Sequence, residues 1–328
     1  MKRLSLIALV LATPLALMAD TTVFQDTFAN SSTINGTPGG PSGGNSTSYQ
    51  VASGNAGSGG SIAGGVMTVN GASSTSLITE VQALFASAPI SLLTLGDFVD
   101  LSITFTSSGN ILNSSGAVTS ESLILGLFNS NGSATLQGTL FTSTGGAPAT
   151  GGAQNWQGFV GRVLSSGTAN IITRPMQTGT TSQNQDLLFN NASSGSTFHF
   201  PVGTQIGSKS TAAANVTLTA LATYTVDLRV TLGASGMIVS NALYNGIDTS
   251  TTPIFTDIGT GALTVVGATN TFDGLAFGFR ATGGSSIPSA LNVSQVLVTI
   301  NSVPEPNAAV LFLSGIGMLG LYARRLRR

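Results

Sequence analysis

The chain has few side chains of the kinds that enzymes use for metal binding or nucleophilic catalysis. It contains no cysteine and a single histidine, His199. Zinc and iron sites draw most of their ligands from His and Cys, so we predict no metal site and no cofactor. Any Ser–His–Asp triad would depend on His199. Residues 40–44 (GPSGG) match the G-x-S-x-G pattern of hydrolases, but neither a strand nor a helix is predicted beside them. We therefore interpret this match as a result of composition.

The acidic residues do not form a pattern typical of glycoside hydrolysis or calcium binding. Hydrolysis of a glycosidic bond needs two carboxyl groups about 5 to 10 Å apart, and the only glutamates before the C-terminal tail are Glu80 and Glu121. Calcium needs several oxygen ligands, whereas Asp97 and Asp100 supply two carboxylates outside any known loop pattern. A catalytic role is therefore the weakest hypothesis for this chain.

The single tryptophan, Trp156, is the best candidate for ligand binding. It lies between Asn155 and Gln157 in the stretch AQNWQGF. There an indole ring could stack on a sugar while the flanking amides bond to the sugar hydroxyls. The alternative interpretation, which we favour, is a tryptophan buried in the core of a β-sandwich.

The elements that must position these residues are predicted to be strands. In FVDLSITFT, residues 98–106, apolar and polar residues alternate, and the same period of two recurs in YTVDLRVTL, residues 224–232. In the second segment Asp227 and Arg229 are predicted to be neighbours on the solvent face. Residues 77–85 fit a strand or a two-turn helix equally well. Further strands are predicted at residues 23–28, 66–69, 123–128, 237–244, 275–279 and 293–300.

Many short strands with almost no helical pattern between them predict an all-β fold, an antiparallel β-sandwich or jelly roll. No change of composition divides residues 20–302, so we expect a single domain. Without cysteines, this domain must be stabilised by core burial and sheet hydrogen bonds. Two long loops are predicted, one rich in Gly and Ser at about residues 30–65 and one near residues 143–154.

The N-terminus has the layout of a secretory signal peptide. Lys2 and Arg3 precede an apolar run at residues 4–18, and the small residue Ala19 follows it. We predict cleavage after Ala19; the alternative is an uncleaved anchor, although the run is short for a membrane span. Residues 20–303 contain eleven acidic and five basic residues, a difference of about six negative charges. Nucleic acid is therefore excluded as a partner.

The C-terminus, VPEPNAAVLFLSGIGMLGLYARRLRR, combines three features in order. The tripeptide Pro304, Glu305, Pro306 comes first. The uncharged run at residues 308–323 would, as a helix, span about 24 Å of a hydrocarbon core of roughly 30 Å. We expect a single transmembrane helix, held with its end on the cytoplasmic side by a stop-transfer cluster. This cluster consists of Arg324, Arg325, Arg327 and Arg328.

The order and spacing of this tail resemble the PEP-CTERM sorting signal of Gram-negative bacteria. The resemblance implies that Pro304, Glu305 and Pro306 are recognised by an exosortase, a membrane protease, within a signal formed by residues 303–328. It also implies a precursor held transiently in the inner membrane, delivery to the cell surface or extracellular matrix, and an association with exopolysaccharide. The rest of the chain, from VFQDTF to FDGLAFGFRATGG, resembles the jelly-roll passengers seen with this signal.

Two functional hypotheses follow from these patterns. The first is an exported, non-catalytic protein of the cell surface or matrix with a structural role. The second is a lectin-like module that binds exopolysaccharide or another glycan, with Trp156 as the candidate contact.

Overall fold

The computed structural model describes residues 20–29, 32–35, 48–53, 59–70, 77–107, 111–112, 122–135, 152–165, 168–177, 186–188, 203–211, 216–281 and 290–301. In these ranges one short 3-10 helix, Gly152–Asn155, accompanies eighteen strands. The predicted all-β class is therefore confirmed. The strands are β1 Thr21–Asp26, β2 Thr33–Ile34, β3 Ser48–Ser53, β4 Gly60–Ala63, β5 Val66–Asn70, β6 Leu77–Leu84, β7 Ile90–Ser91, β8 Phe98–Ser107, β9 Ser122–Asn129, β10 Gln157–Leu164, β11 Thr168–Arg174, β12 Thr204–Thr211, β13 Thr223–Gly233, β14 Gly236–Asn245, β15 Phe255–Gly261, β16 Thr271–Phe272, β17 Gly274–Ala281 and β18 Ala290–Asn301.

The strands form two large sheets and one small pair. In the first sheet the order is β15-β14-β13-β8-β18-β5-β4, and β1 pairs with the second half of β18. In the second sheet the order is β12-β11-β10-β9-β17-β6-β3-β2. Strands β7 and β16 form the small pair. Among the described strands only β2 and β3 pair in parallel, so the fold is predominantly antiparallel, as predicted.

The two sheets enclose a shared hydrophobic core, which defines a β-sandwich. The period-two pattern explains this arrangement, because alternate residues of each strand point into the core. Burial of each such side chain contributes roughly 1.5–3 kcal/mol. Strands β8 and β13 of the first sheet and β9, β10 and β17 of the second supply many of the core residues, including Val99, Leu101, Ile103, Phe105, Val226, Leu228, Val230, Leu123, Leu125, Phe159, Phe277 and Phe279.

At one edge of the sandwich the two sheets touch backbone to backbone. Strand β12 of the second sheet lies against β15 of the first, and a Cβ atom added at Gly259 would lie 2.7 Å from the carbonyl oxygen of Ile206. On β12, Gly207 has a φ of +75° and faces Gly259. Glycine is required at this contact because a side chain would hold the two backbones apart.

The outer face of the second sheet carries a second, smaller core. It is covered by the 3-10 helix and by residues 186–188, and for this reason seven of the eight residues of β9 are buried. The members of this cluster are Ile124, Phe128, Ala153, Trp156, Val160, Ile172, Leu187, Leu188 and Ala276.

The structure resolves one ambiguity of the sequence and corrects one prediction. Residues 77–85, which fitted a strand or a helix, form strand β6. The interpretation of residues 30–65 as a loop is wrong for β2, β3 and β4, because Tyr49 and Val51 of β3 are buried in the core. The loop predicted near residues 143–154 lies largely outside the described residues, and its last three residues belong to the 3-10 helix.

Candidate functional site

A polar pocket of about 190 Å³ lies on the outer face of the first sheet. Its position follows from the alternation of β13. Val226 and Leu228 are buried in the core, so Asp227 and Arg229 point to the opposite face, where they were predicted to be neighbours. The pocket is lined by Asp100, Asp227, Arg229, Ser240, Ala242, Tyr244 and Thr249.

Strand register brings these lining residues together. Arg229 pairs with Asp100 of β8 on one side and with Ser240 of β14 on the other. Asp227 lies in the neighbouring row, opposite Ala242. The polar residues of the pocket therefore come from β8, which is far away in sequence, from the hairpin of β13 and β14, and from Thr249 just after β14.

An ion pair forms one wall of the pocket. The Arg229 guanidinium donates from Nε and Nη2 to Oδ2 of Asp100, at 3.0 and 2.6 Å. It also lies over the ring of Phe98, 4.2 Å from the ring centroid, in a cation–π contact. The Asp100 side chain is 9% exposed and the Arg229 side chain 43%. The second carboxylate oxygen of Asp100, Oδ1, is buried and has no hydrogen-bond partner within the described structure.

Asp227 is the second carboxylate of the pocket, and its environment disfavours the charged form. Burial raises the pKa of Asp227 to about 7, and the negative charge of Asp100 adds to this effect, while a Ser102 hydrogen bond and Arg229 oppose it. Burial also raises the pKa of Asp100, against the attraction of Arg229. Oδ1 of Asp227, like that of Asp100, has no hydrogen-bond partner in the described part of the chain.

The pocket therefore offers more hydrogen-bond acceptors than its own donors satisfy. Two carboxylate oxygens without partners lie beside the hydroxyl groups of Ser240, Tyr244 and Thr249. Leaving a buried acceptor unsatisfied costs roughly 1–3 kcal/mol. Both oxygens are buried, so a ligand with hydroxyl or ammonium donors would reach them only after the carboxylates turn toward the pocket.

The structure confirms that Trp156 is buried, but places it in the second core, on the outer face of the second sheet, and not in the core between the two sheets. Its ring is fully buried, and its indole Nε1 donates to the carbonyl oxygens of Ser133 and Ala134, at 3.3 and 3.1 Å. The ring packs so closely over Gly274 that a Cβ atom added there would lie 2.5 Å from it. A sugar would be able to stack on Trp156 only if the residues that pack against its ring moved away.

The residues beside Trp156 are more accessible than its ring. Asn155 is exposed, and its Nδ2 donates to Oγ of Ser133 at 2.9 Å. Gln157 is half-buried at the start of β10. The three candidate glycan contacts are thus adjacent in sequence, but the ring is separated from the surface on which Asn155 lies.

Glu80 stabilises the cover of the second sheet. Its carboxylate is fully buried and accepts hydrogen bonds from the backbone N–H groups of Leu187 and Leu188, at 3.0 and 2.9 Å, and from Gln82 at 2.6 Å. Burial raises the pKa of Glu80 to about 7, opposed by these hydrogen bonds and by the charge of Arg174. The other glutamate considered for catalysis, Glu121, lies outside the described residues.

Arg174, the last residue of β11, stabilises the same region. It is fully buried and donates hydrogen bonds to the backbone carbonyl oxygens of Ala153, Trp156 and Asp186. Burial lowers the pKa of Arg174 to about 10, so it stays protonated at neutral pH. Glu80 and Arg174 together fix the 3-10 helix and residues 186–188 on the outer face of the second sheet.

Asp97 and Asp100, considered above as calcium ligands, have separate structural roles. Oδ2 of Asp97 accepts hydrogen bonds from the backbone N–H groups of Leu93 and Thr94, at 2.9 and 2.8 Å, and so closes a turn. Within the described ranges no three His, Cys, Asp or Glu side chains are grouped for metal binding. His199 and residues 40–44 lie outside these ranges.

Comparison with solved structures gives distant matches, among them two lectins. Peanut lectin is 9% identical over 87% of this chain and 99% of its own, with a TM-score of 0.40. Lectin II from Ulex europaeus is 11% identical over 77% of this chain and 93% of its own, with a TM-score of 0.38. A protein of unknown function from Shewanella oneidensis MR-1 is 10% identical over 77% of this chain and 78% of its own, with a TM-score of 0.35. At such scores we draw no conclusion from these likenesses.

The C-terminal tail gives a more specific match. Residues 302–328 match the family model described as the PEP-CTERM protein-sorting motif. The chain therefore carries a PEP-CTERM sorting motif behind a β-sandwich, and the resemblance drawn from Pro304, Glu305 and Pro306 is confirmed. A search of curated proteins finds no match to this chain.

The predicted membrane segments are not among the described residues. These comprise the signal peptide at residues 1–19 and the helix at residues 308–323. Within the part of the chain that is described, no helix is long and apolar enough to cross a membrane.

Proposed function

We propose that the chain is an exported, non-catalytic protein of the cell surface or extracellular matrix, processed at its C-terminal signal by an exosortase-type membrane protease. The match of residues 302–328 to the PEP-CTERM sorting motif is the observation that carries this proposal. The role of the β-sandwich is structural, in a matrix that contains exopolysaccharide.

The tail acts in three steps in this proposal. The arginines at the end of the chain stop transfer and stay on the cytoplasmic side, as the positive-inside rule requires. Residues 308–323 hold the precursor in the inner membrane. Pro304 and Pro306 prevent the helix from extending back toward the β-sandwich, so residues 303–307 stay accessible to the processing enzyme.

A non-catalytic role is supported by the contacts of three buried carboxylates of the body. Glu80 accepts two backbone hydrogen bonds, Asp97 closes a turn, and Asp100 pairs with Arg229. Each of these carboxylates already contributes to the fold.

Mass spectrometry of the protein purified from the cell envelope and the medium tests this proposal. We expect a mature form that begins at Asp20 and has lost its residues beyond the Pro304–Pro306 motif. A delivered protein that begins at Met1, or that keeps Arg328, would overturn it.

The polar pocket favours a second function, the binding of a glycan. A sugar carries several hydroxyl groups on a rigid ring, and such groups can accept from Arg229 and can donate to the carboxylates of Asp100 and Asp227 once these turn toward the pocket. The site proposed here lies on the outer face of the first sheet, over β13 and β14, and excludes Trp156.

A glycan array probed with the mature protein, followed by calorimetry on any hit, separates the two functions. If the pocket binds a glycan, Asp227→Asn should weaken binding at pH 8 about tenfold or more, because at that pH it replaces a charged acceptor by an amide. Asp248→Asn is the matched control, since Asp248 is exposed and does not line the pocket. Absence of saturable binding would leave the structural role alone. A cation-dependent melting temperature that Asp227→Asn abolishes would assign the pocket to a cation instead.

A further inference from the structure

Both ends of the described body emerge at the same end of the sandwich. Strand β1 begins beside the end of β18, with Thr21 opposite Ile300. The last residue of β18, Asn301, pairs with Phe98 at the start of β8. We call this the tethered end, because residues 302–328 continue from it.

Exposed apolar side chains are concentrated at this tethered end. Ten large hydrophobic residues are exposed in the described ranges, and six of them lie here. Leu93 and Leu95 are 74% and 62% exposed, on the segment that leads into β8, and Val266 is 68% exposed on the segment after β15. The six are Leu93, Leu95, Met176, Ile238, Leu263 and Val266.

Hydrogen bonds hold these segments together across the two sheets. The Asp97 carboxylate closes the turn that presents Leu93 and Leu95, and the N–H of Gly96 donates to the carbonyl of Leu232 at 2.9 Å. The hydroxyl of Thr173, at the end of β11, donates to the carbonyl of Val266 at 2.8 Å. These hydrogen bonds therefore hold the segments that carry the exposed side chains in fixed positions.

The tethered end is also poor in exposed charge. Asp97, Arg174 and Asp273 are buried in the segments that form it, Asp20 is exposed, and the half-exposed Arg229 lies at its margin, over the ring of Phe98. An apolar surface whose one half-exposed basic residue is paired with Asp100 fits the interface of a bilayer by burial of side chains rather than by attraction to anionic lipids.

We propose that the tethered end docks on the bilayer interface that holds the chain's own C-terminal helix, with Leu93, Leu95 and Val266 inserted among the lipid headgroups. This inference rests on the proposed function, because it requires the tail to be anchored. Six residues, 302–307, separate Asn301 from the apolar run, and fully extended they reach about 20 Å. Such a short tether keeps the apolar end next to the membrane at high effective concentration.

Docking would place the tripeptide that the protease recognises in the headgroup layer. Pro304, Glu305 and Pro306 lie between the docked end and the apolar run, so their height above the membrane is fixed from both sides. A membrane-embedded protease then meets its substrate at a constant depth.

Single labels in full-length precursor reconstituted in phosphatidylcholine–phosphatidylglycerol vesicles test the proposal. The chain has no cysteine, so Leu95→Cys and Val266→Cys each give one nitroxide site, whose depth is read from its collision rates with oxygen and with a water-soluble nickel chelate. We expect both labels to be protected from the nickel reagent several-fold relative to Leu221→Cys and Ile247→Cys. Those two control positions are 72% and 74% exposed and lie at the opposite end of the sandwich.

The outcomes separate docking from anchoring. A Leu313→Cys label inside the apolar run reports whether the tail is inserted. If Leu313→Cys is deep while Leu95→Cys is as accessible as Ile247→Cys, docking is wrong and the anchor stands. If Leu313→Cys is itself in water, the anchor fails, and the docking proposal falls with it.

Discussion

Arg229 donates both of its short hydrogen bonds to one oxygen of Asp100, while the other oxygen of that carboxylate is buried without a partner. The ion pair therefore balances the charge of Asp100 but leaves one of its carboxylate oxygens without a hydrogen bond. Asp227, one row away, adds a second buried carboxylate with one unsatisfied oxygen. Arg229 is the only cationic residue lining the pocket, against two carboxylates.

Removal of Arg229 should destabilise the fold through the charges that remain. We expect Arg229→Gln to lower the free energy of unfolding by about 2 kcal/mol at pH 8, less than for a fully buried pair because Arg229 is 43% exposed. Adding Asp100→Asn to this variant should recover part of the loss, since no unpaired charge is then buried at that position. Urea denaturation of the four proteins of this double-mutant cycle measures the coupling. Strictly additive losses would show that the two residues do not stabilise each other.

Stability of the body should fall as pH rises from about 4.5 to 7. The pKa values of Glu80 and Asp227 are each raised to about 7 in the folded protein, first of all by burial. A raised folded-state pKa means that the folded state binds the proton more tightly than the unfolded state. Its stabilising effect is therefore complete below the unfolded pKa and is lost as pH rises through the folded value.

Urea denaturation at pH 5 and pH 8 measures this dependence. For fully buried Glu80 the loss is at most about 3 kcal/mol. Glu80→Gln should flatten the profile, whereas Asp248→Asn, at an exposed site, should leave it unchanged. A stability that increases steadily from pH 5 to pH 8 would show that these carboxylates are ionised at little cost.

Trp156 reports directly on the second core, because it is the only tryptophan. Its emission should be blue-shifted and poorly quenched by acrylamide, and glycans should not change it. Gly274→Ala should destabilise the body by about 1–3 kcal/mol, because the added methyl group would meet the ring. Gly246→Ala tests a glycine with no atom within contact distance, where the positive φ alone makes the change costly. Emission at the wavelength of exposed tryptophan in the wild-type protein would be incompatible with the buried position.

The strands that could be predicted from the sequence are those with apolar residues at every second position. Strand β13 is of this kind, with Val226, Leu228 and Val230 inside. Strand β15 was not predicted, because three of its four buried positions are held by Asp257, Gly259 and Gly261, while Ile258 is exposed. Glycine is required there by the close contact with β12, which a single-strand pattern cannot reveal.

The candidate pocket was not predicted from the sequence, although two of its residues were. Asp227 and Arg229 were placed together because they are two residues apart on one strand. Asp100 was visible on the polar face of its own predicted strand, but its pairing with Arg229 depends on register between segments 129 residues apart. Tyr244, by contrast, is brought in by the local hairpin of β13 and β14, whereas no local pattern indicates that β8 becomes the other neighbour of β13.

Replacement of Pro304, Glu305 and Pro306 by alanine, followed by fractionation of cells that make the tagged protein, is the decisive measurement for the sorting signal. A tag inserted at Gly43 follows the body through the fractions. The apolar run and the arginines are unchanged, so the precursor should still insert, but it should accumulate at full length in the inner membrane. Ser302→Ala with Asn307→Ala, which flank the motif, should be processed like the wild type. If the triple alanine variant is also processed and delivered like the wild type, the tail is a simple membrane anchor and the proposed sorting function is wrong.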